Sequence, residues 1–283
     1  MFVIIGCVIV IGSVLGGFTM AGGHMMALVH PSEIVTIGGS ALGAMIVMTP
    51  TKVLVDMMKG LIGSLKGSPF NKPLYVETFR CLYELFKMGR RDGLLAWDAH
   101  LNDPHESAVF SKYPRIAHNH HVLDFMTGAL TAVTDGSATP EQINDQLQQE
   151  IKIMDDEHHA AVLALSKTAD ALPGFGIVAA VLGIVITMEA VSGPVEEIGH
   201  KVGAALVGTF LGILLSYGFL GPLAGRLEFL GMAESAYFRT ITNAVLGFHA
   251  GGSPKAIITQ LRRGVVTECR PSRDEMEEIF RDG

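Results

Sequence analysis

Charge is what this 283-residue chain has too little of. Asp, Glu, Lys and Arg make up 17% of it, where a soluble domain carries about 25%. Cysteine is scarce as well. The three residues, Cys7, Cys81 and Cys269, are too few for a disulfide scaffold. Basic residues are outnumbered, with a net charge of −7, so no global basic footprint exists for a phosphate backbone and no nucleic-acid partner is expected. A hydrophobic share of 49% excludes a disordered chain. No HExxH, CxxC, GxSxG or Walker loop occurs, so no enzymatic centre, metal site or cofactor is implied by motif.

The missing charge is concentrated. Residues 1–32 carry no Asp, Glu, Lys or Arg; neither do Ile34 to Thr51, Ala171 to Met188, or Val202 to Gly225. A bilayer core needs roughly 17–25 apolar residues per helix, and each gap holds one span. Ala21-Gly22-Gly23-His24 marks the end of the first, which is expected over Phe2–Met20. No Lys or Arg precedes that run, which argues for a retained helix over a cleaved signal peptide.

Orientation follows from the basic residues. Twelve of the 21 Lys and Arg lie in 52–170 and eight in 226–283; Lys201 is the remaining one. Lys52, Lys59 and Lys66, directly behind the second span, place that side in the cytoplasm. Four spans then put both termini inside.

The expected fold is an all-α membrane protein. Residues 1–51 form helices one and two, 52–170 a helical cytoplasmic domain, 171–225 helices three and four, and 226–283 a cytoplasmic tail. Within 52–170, Tyr75, Phe79, Leu82, Tyr83 and Phe86 share one helix face. Asn71 is a candidate N-cap and Gly89 or Gly93 the end. Thr139-Pro-Glu-Gln142 reads as a capping box. The helix behind it presents Ile143, Leu147, Ile151 and Met154 on one face and meets no Pro or Gly until Pro173, so it runs towards the third span. Asp135-Gly136 and Gly251-Gly252 read as turns.

Two clusters carry potential chemistry: His118, His120 and His121, and Asp155 to His159. Asp155 and His159 have the i, i+4 spacing that can share a metal. Adjacent helical residues point apart, however, so a solvated face is the stronger reading. A membrane enzyme centred on either cluster is the alternative. Gly12/Gly16, Gly39/Gly43, Gly208/Gly212 and Gly221/Gly225 are small-xxx-small pairs that let helices approach closely, either within the chain or between subunits. Pro173 and Pro222 sit near the cytoplasmic ends of spans three and four, where each either kinks a helix or, for Pro173, starts one. Spans three and four contain no Asp, Glu, Lys, Arg or His; their polar set is Thr187, Thr209, Ser216 and Tyr217. Ion pathways use intramembrane ionisable groups, so an ion-conducting role requires a carboxylate from another polypeptide.

The run GCVIVIGSVLGG, the block from Leu172 to Gly183 (LPGFGIVAAVLG) and the block from Leu206 to Leu223 (LVGTFLGILLSYGFLGPL) together resemble the MotA family of flagellar stator subunits, over essentially the whole chain. The resemblance implies a non-enzymatic subunit of the bacterial inner membrane, five copies surrounding a dimer of MotB. MotB supplies the proton-accepting aspartate, and ion flow drives torque on the rotor protein FliG. It further implies that Pro173 and Pro222 couple ion passage to movement and that Thr209 faces the partner's aspartate. Ala180 matches a position where sodium-driven relatives tend to have threonine. A methyl cannot replace sodium's hydration shell, which favours protons. Arg90, with Arg91 beside it, matches the basic rotor-facing site. Asp98 stands where glutamate is usual, one methylene shorter, and Glu150 matches a further charged position. An ExbB/TolQ-type energising subunit is the runner-up; four spans and the two prolines count against it.

Overall fold

The computed structural model describes residues 2–189 and 191–282, and among them there is no strand. Twelve α-helices follow in order: α1 Phe2–Met20, α2 Pro31–Met48, α3 Thr51–Lys66, α4 Lys72–Asp92, α5 Asp98–Leu101, α6 Pro114–Ala117, α7 His120–Thr134, α8 Pro140–Glu189, α9 Val195–Leu215, α10 Gly221–His249, α11 Pro254–Gly264 and α12 Arg273–Asp282. A π-helical stretch, Ser216–Leu220, joins α9 to α10.

The chain divides into two compact units. Met1–Gly67 with Glu157–Leu230 makes the first; Ser68–Asp156 with Gly231–Gly283 makes the second. Helices α8 and α10 contribute to both.

Among the described residues four helices are long and apolar enough to cross a membrane, and their apolar stretches belong to the first unit. α1 is apolar on every side and buries none of its residues, the pattern of a helix that meets lipid or a partner rather than its own chain's core. α2 starts at Pro31, where the missing N–H costs nothing, and stops before Thr49-Pro50. That start is a turn earlier than the charge-free run from Ile34, and it brings Glu33 inside the helix. α3 is amphipathic: Met57 and Ser64 are buried, and Lys52, Lys59 and Lys66 recur every seven residues. Lys52 pairs with Glu157 of α8. Met57, Ala161, Val162, Leu165, Ala224 and Leu227 form one core cluster; Ile37, Ala41, Leu172 and Ala179 form another.

The second unit has a conventional aromatic core. Every member of the α4 face from Tyr75 to Phe86 is buried. Asn71 caps α4, accepting from the Leu74 amide at 3.2 Å, and Gly93 (φ 87°) ends it. The Thr139 capping box closes in both directions: the Thr139 amide donates to Gln142 Oε1 at 2.8 Å, and the Gln142 amide donates to Thr139 Oγ1 at 3.3 Å. Behind it α8 runs unbroken for 50 residues, so Pro173 lies inside a helix and does not start one.

Candidate functional site

In the first unit, glycines set how closely α8 and α9 pack. A Cβ on Gly176 would lie 2.9 Å from the Gly208 carbonyl oxygen, and one on Gly212 would lie 2.6 Å from the Leu172 carbonyl oxygen. A Cβ on Gly183 would lie 2.8 Å from Ala205 Cβ. Backbone meets backbone here, which only the smallest side chain permits. The Gly208/Gly212 pair therefore serves packing within the chain. Cβ atoms at Gly12, Gly16, Gly39 and Gly43 would meet nothing within 4 Å.

This contact brings the two prolines into context. Pro173 follows Leu172, whose carbonyl lies against Gly212, and it has no N–H to donate to the carbonyl of Ala169. Pro222 sits in the first turn of α10, directly after the π stretch, where the Gly221 amide bonds to the Ser216 carbonyl. A π-bulge carries one extra residue per turn and is common at functional positions. The sequence marked Pro222 as a possible kink and gave no sign of the π stretch before it.

Ala180 and Thr209 are both half-buried. Thr209 lines a shallow apolar groove with Leu206, Phe210, Ile213 and Leu214. Thr187 spends its hydroxyl on the Gly183 carbonyl at 2.7 Å, and Tyr217 is exposed.

One residue escaped the sequence reading. Glu33, in the first turn of α2, is 7% exposed, and its Oε2 has no hydrogen-bond partner. A Cβ on Gly208 would collide with that oxygen and lie 3.2 Å from Ala179 Cβ. The signal was available: Pro-Ser-Glu after His30 is a helix start with an acid in the first turn.

In the second unit, the Arg90 side chain is anchored. Its Nη2 donates to the Phe248 carbonyl at 3.2 Å and to the Gly252 carbonyl at 3.1 Å, and its guanidinium lies 4.7 Å from the Phe248 ring centre. Those carbonyls belong to the end of α10, which closes as a Schellman motif. The Gly252 amide donates to Gly247, the Gly251 amide donates to Phe248, and Gly251 has a φ of 88°. Phe248 in turn stacks on Phe86 and lies 5.0 Å from Trp97. Arg91 is different: it is 78% exposed and forks onto Asp92 at 2.8 and 2.9 Å. That guanidinium holds the Asp92 carboxyl below its ordinary range.

Asp98 is half-buried at the start of α5, just after Trp97, whose Nε1 donates to the Leu85 carbonyl at 2.7 Å. Gly93 and the 3₁₀ turn Leu94–Trp97 separate Asp98 from the Arg90–Arg91 pair. Glu150 is exposed on α8.

The two polar clusters disperse. Asp155 accepts from Ser235 and sits 3.6 Å from Arg239. His158 Nε2 reaches the Leu227 carbonyl at 2.8 Å, and Glu157 pairs with Lys52. His120 stacks edge-on against His105. Among the described residues no three His, Cys, Asp or Glu side chains gather as a metal would need.

Four described helices long and apolar enough to cross a membrane, a glycine-tight α8–α9 pair followed by a π stretch, and a separate charged helical unit are the features of a polytopic membrane protein. Residues 117–237 match the MotA/TolQ/ExbB proton channel family, and residues 4–93 match the family described as motility protein A N-terminal. Motility protein A of Salmonella typhimurium is 34% identical over 281 residues, covering 99% of this chain and 95% of that protein. That of Escherichia coli K12 is 33% identical with the same coverage. Chemotaxis protein LafT of Vibrio parahaemolyticus is 32% identical over 273 residues, 96% of each chain. The fold is that of C. jejuni MotAB (TM-score 0.80, 22% identity, 96% of this chain and 98% of that one). It also matches the flagellar MotAB stator complex from Bacillus subtilis (0.75, 24%, 97% and 98%). The chain belongs to the motility protein A family.

Proposed function

We propose that five copies of this chain surround a MotB dimer in the bacterial inner membrane, pass protons inward and turn that flow into torque on the rotor protein FliG. One observation carries the reading. The α8–α9 pair packs backbone to backbone and holds Thr209 and Ala180, yet contributes no Asp, Glu, Lys, Arg or His of its own between Asp170 and Glu189 or between Lys201 and Arg226. An ion path along these helices needs a carboxylate lent from outside them, and the solved structures that share this fold are of MotAB.

The energetics suit the role. One elementary charge crossing 100 mV releases about 2.3 kcal/mol, enough to bias a two-state helix rearrangement of a few kcal/mol. Pro173 and the π-bulge before Pro222 are where α8, α9 and α10 depart from regular bonding, and they supply the compliant points. Ala180 offers a methyl and no oxygen, which fits protons better than sodium. Arg90, Arg91, Asp98 and Glu150 belong to the cytoplasmic charged surface that meets the rotor. Charged rims of this kind set register and steering more than affinity. Both termini lie in the cytoplasm in this arrangement.

The test is expression with the cognate MotB-type partner in a strain lacking stators, with rotation recorded on tethered cells. Speed should track the proton gradient and ignore external sodium. Loss of rotation on sodium removal at fixed pH overturns the proton assignment, and failure to rotate at all overturns the stator reading.

A further inference from the structure

We propose that Glu33 is a second proton-binding site of the ion path, carried by this chain itself at the depth of Thr209 and Ala180. The inference deepens the proton-conducting reading above and rests on it.

Position comes first. The Glu33 carboxyl lies over Gly208 of α9 and beside Ala179 of α8. Ala179 falls at the middle of the charge-free run Ala171 to Met188. Gly208 lies seven residues beyond Lys201, about 10 Å along the helix. The carboxyl therefore sits well inside the apolar layer, although Glu33 opens its own helix. Gly208 and Ala179 are the direct chain neighbours of Thr209 and Ala180.

Chemistry comes second. A buried carboxylate with an unpartnered oxygen is costly to keep ionised, and the cost is relieved by holding a proton. Among the described residues no Lys or Arg is paired with it. The facing stretches of α8 and α9 are uncharged; Lys201 lies two turns away and is paired with Glu197 at 3.0 Å. His200 is its chain neighbour. Directly before α2 stands His30, its N-cap residue, whose ring is bonded to the Ala27 carbonyl at 3.1 Å. α1 has no charged or histidine side chain.

A group of this kind is neutral in the present packing. It gives up its proton when the helices shift and a water or the partner's carboxylate comes within reach. The step is a proton exchange and nothing else: Glu33 takes a proton from outer-side water as it becomes the acid, and returns it inward as it becomes the carboxylate. Gly208 makes the close approach possible, since any Cβ there would displace the carboxyl.

Two measurements on the membrane-embedded complex test this. Dicyclohexylcarbodiimide modifies protonated carboxyls in apolar surroundings. Peptide mapping should find the adduct on Glu33 near neutral pH, declining as pH rises and absent from Glu33→Gln. In Glu33→Gln, which keeps the shape of the neutral acid, proton influx and rotation should fall about tenfold or more while the complex still assembles; Glu33→Asp should retain part of the flux. Unchanged rotation in Glu33→Gln, or no adduct at Glu33 at any pH while the partner's membrane carboxyl is modified, overturns the proposal. If the wild-type chain turns no motor, the stator reading fails separately, and the labelling still decides whether Glu33 holds a proton.

Discussion

Replacing Arg90 tests the charged unit most directly, because the side chain has work inside its own chain. In Arg90→Ala, two charge-assisted hydrogen bonds to the Phe248 and Gly252 carbonyls disappear, as does the stack over Phe248. A hydrogen bond to a charged group is worth about 1.5–3 kcal/mol when buried. A cation–π contact adds about 0.5–1 kcal/mol where it is exposed. Arg90 is largely exposed and water replaces part of what is lost, so the total comes to about 2–3 kcal/mol and not the sum of the upper figures. Each 1.4 kcal/mol is a factor of ten. If the α10–α11 turn opens locally, amides in 247–257 should therefore exchange with solvent about 30- to 100-fold faster. Arg90→Lys should fall between, since an ammonium cannot fork to two carbonyls and stack at once. Arg90→Glu should be worse than alanine, because it sets a carboxylate against carbonyl oxygens at a helix C-terminus.

The assay is hydrogen exchange by mass spectrometry on the solubilised complex, read beside motility of the same strains. Insertion of the spans should be unaffected, since Arg90 belongs to the other compact unit. An exchange rate in 247–257 that rises less than about threefold in Arg90→Ala would refute the reasoning, as that corresponds to under about 0.7 kcal/mol. The consequence for the rotor surface is specific. A motility defect at Arg90 would then mix a lost charge with a loosened α10 end, whereas one at Arg91, which touches its neighbour Asp92 and is otherwise open, would report charge alone.

Other outcomes follow from the same geometry. Gly212→Val places a branched side chain against the Leu172 carbonyl and the Gly176 backbone; overpacking of this kind costs about 1–3 kcal/mol or more, and less assembled complex should be recovered from membranes, with normal recovery contradicting the α8–α9 contact. Cys81 is fully buried, and burial pushes its thiol well above the usual range; a maleimide should leave it unmodified in the folded protein and label it only on denaturation, so prompt labelling would contradict the α4 packing.

Much of the architecture was legible in the sequence. The four long apolar helices, the capping box at Thr139 and the buried face of α4 all rest on sums over neighbouring residues, whereas the sequence left open whether Pro173 starts a helix or lies inside one. Desolvation of an uncharged run, periodicity and end-capping are local quantities, so a sequence exposes them directly. The limits of α2 were less clear, because an acid in the first turn of a span reads as the edge of a loop.

Partnership was decided only by the tertiary structure. Whether Arg90 points free or grips residues 248 and 252, and whether Gly208/Gly212 serves the chain or a neighbour, depends on groups far apart in sequence. The same holds for Asp155 turning to Ser235 instead of a metal, and for Glu33 facing solvent or Gly208. None of these pairings leaves a local trace, since each follows from which helix lies against which. The low charge content announced a membrane protein; the packing of α2 on α9 is what set the Glu33 carboxyl against Gly208.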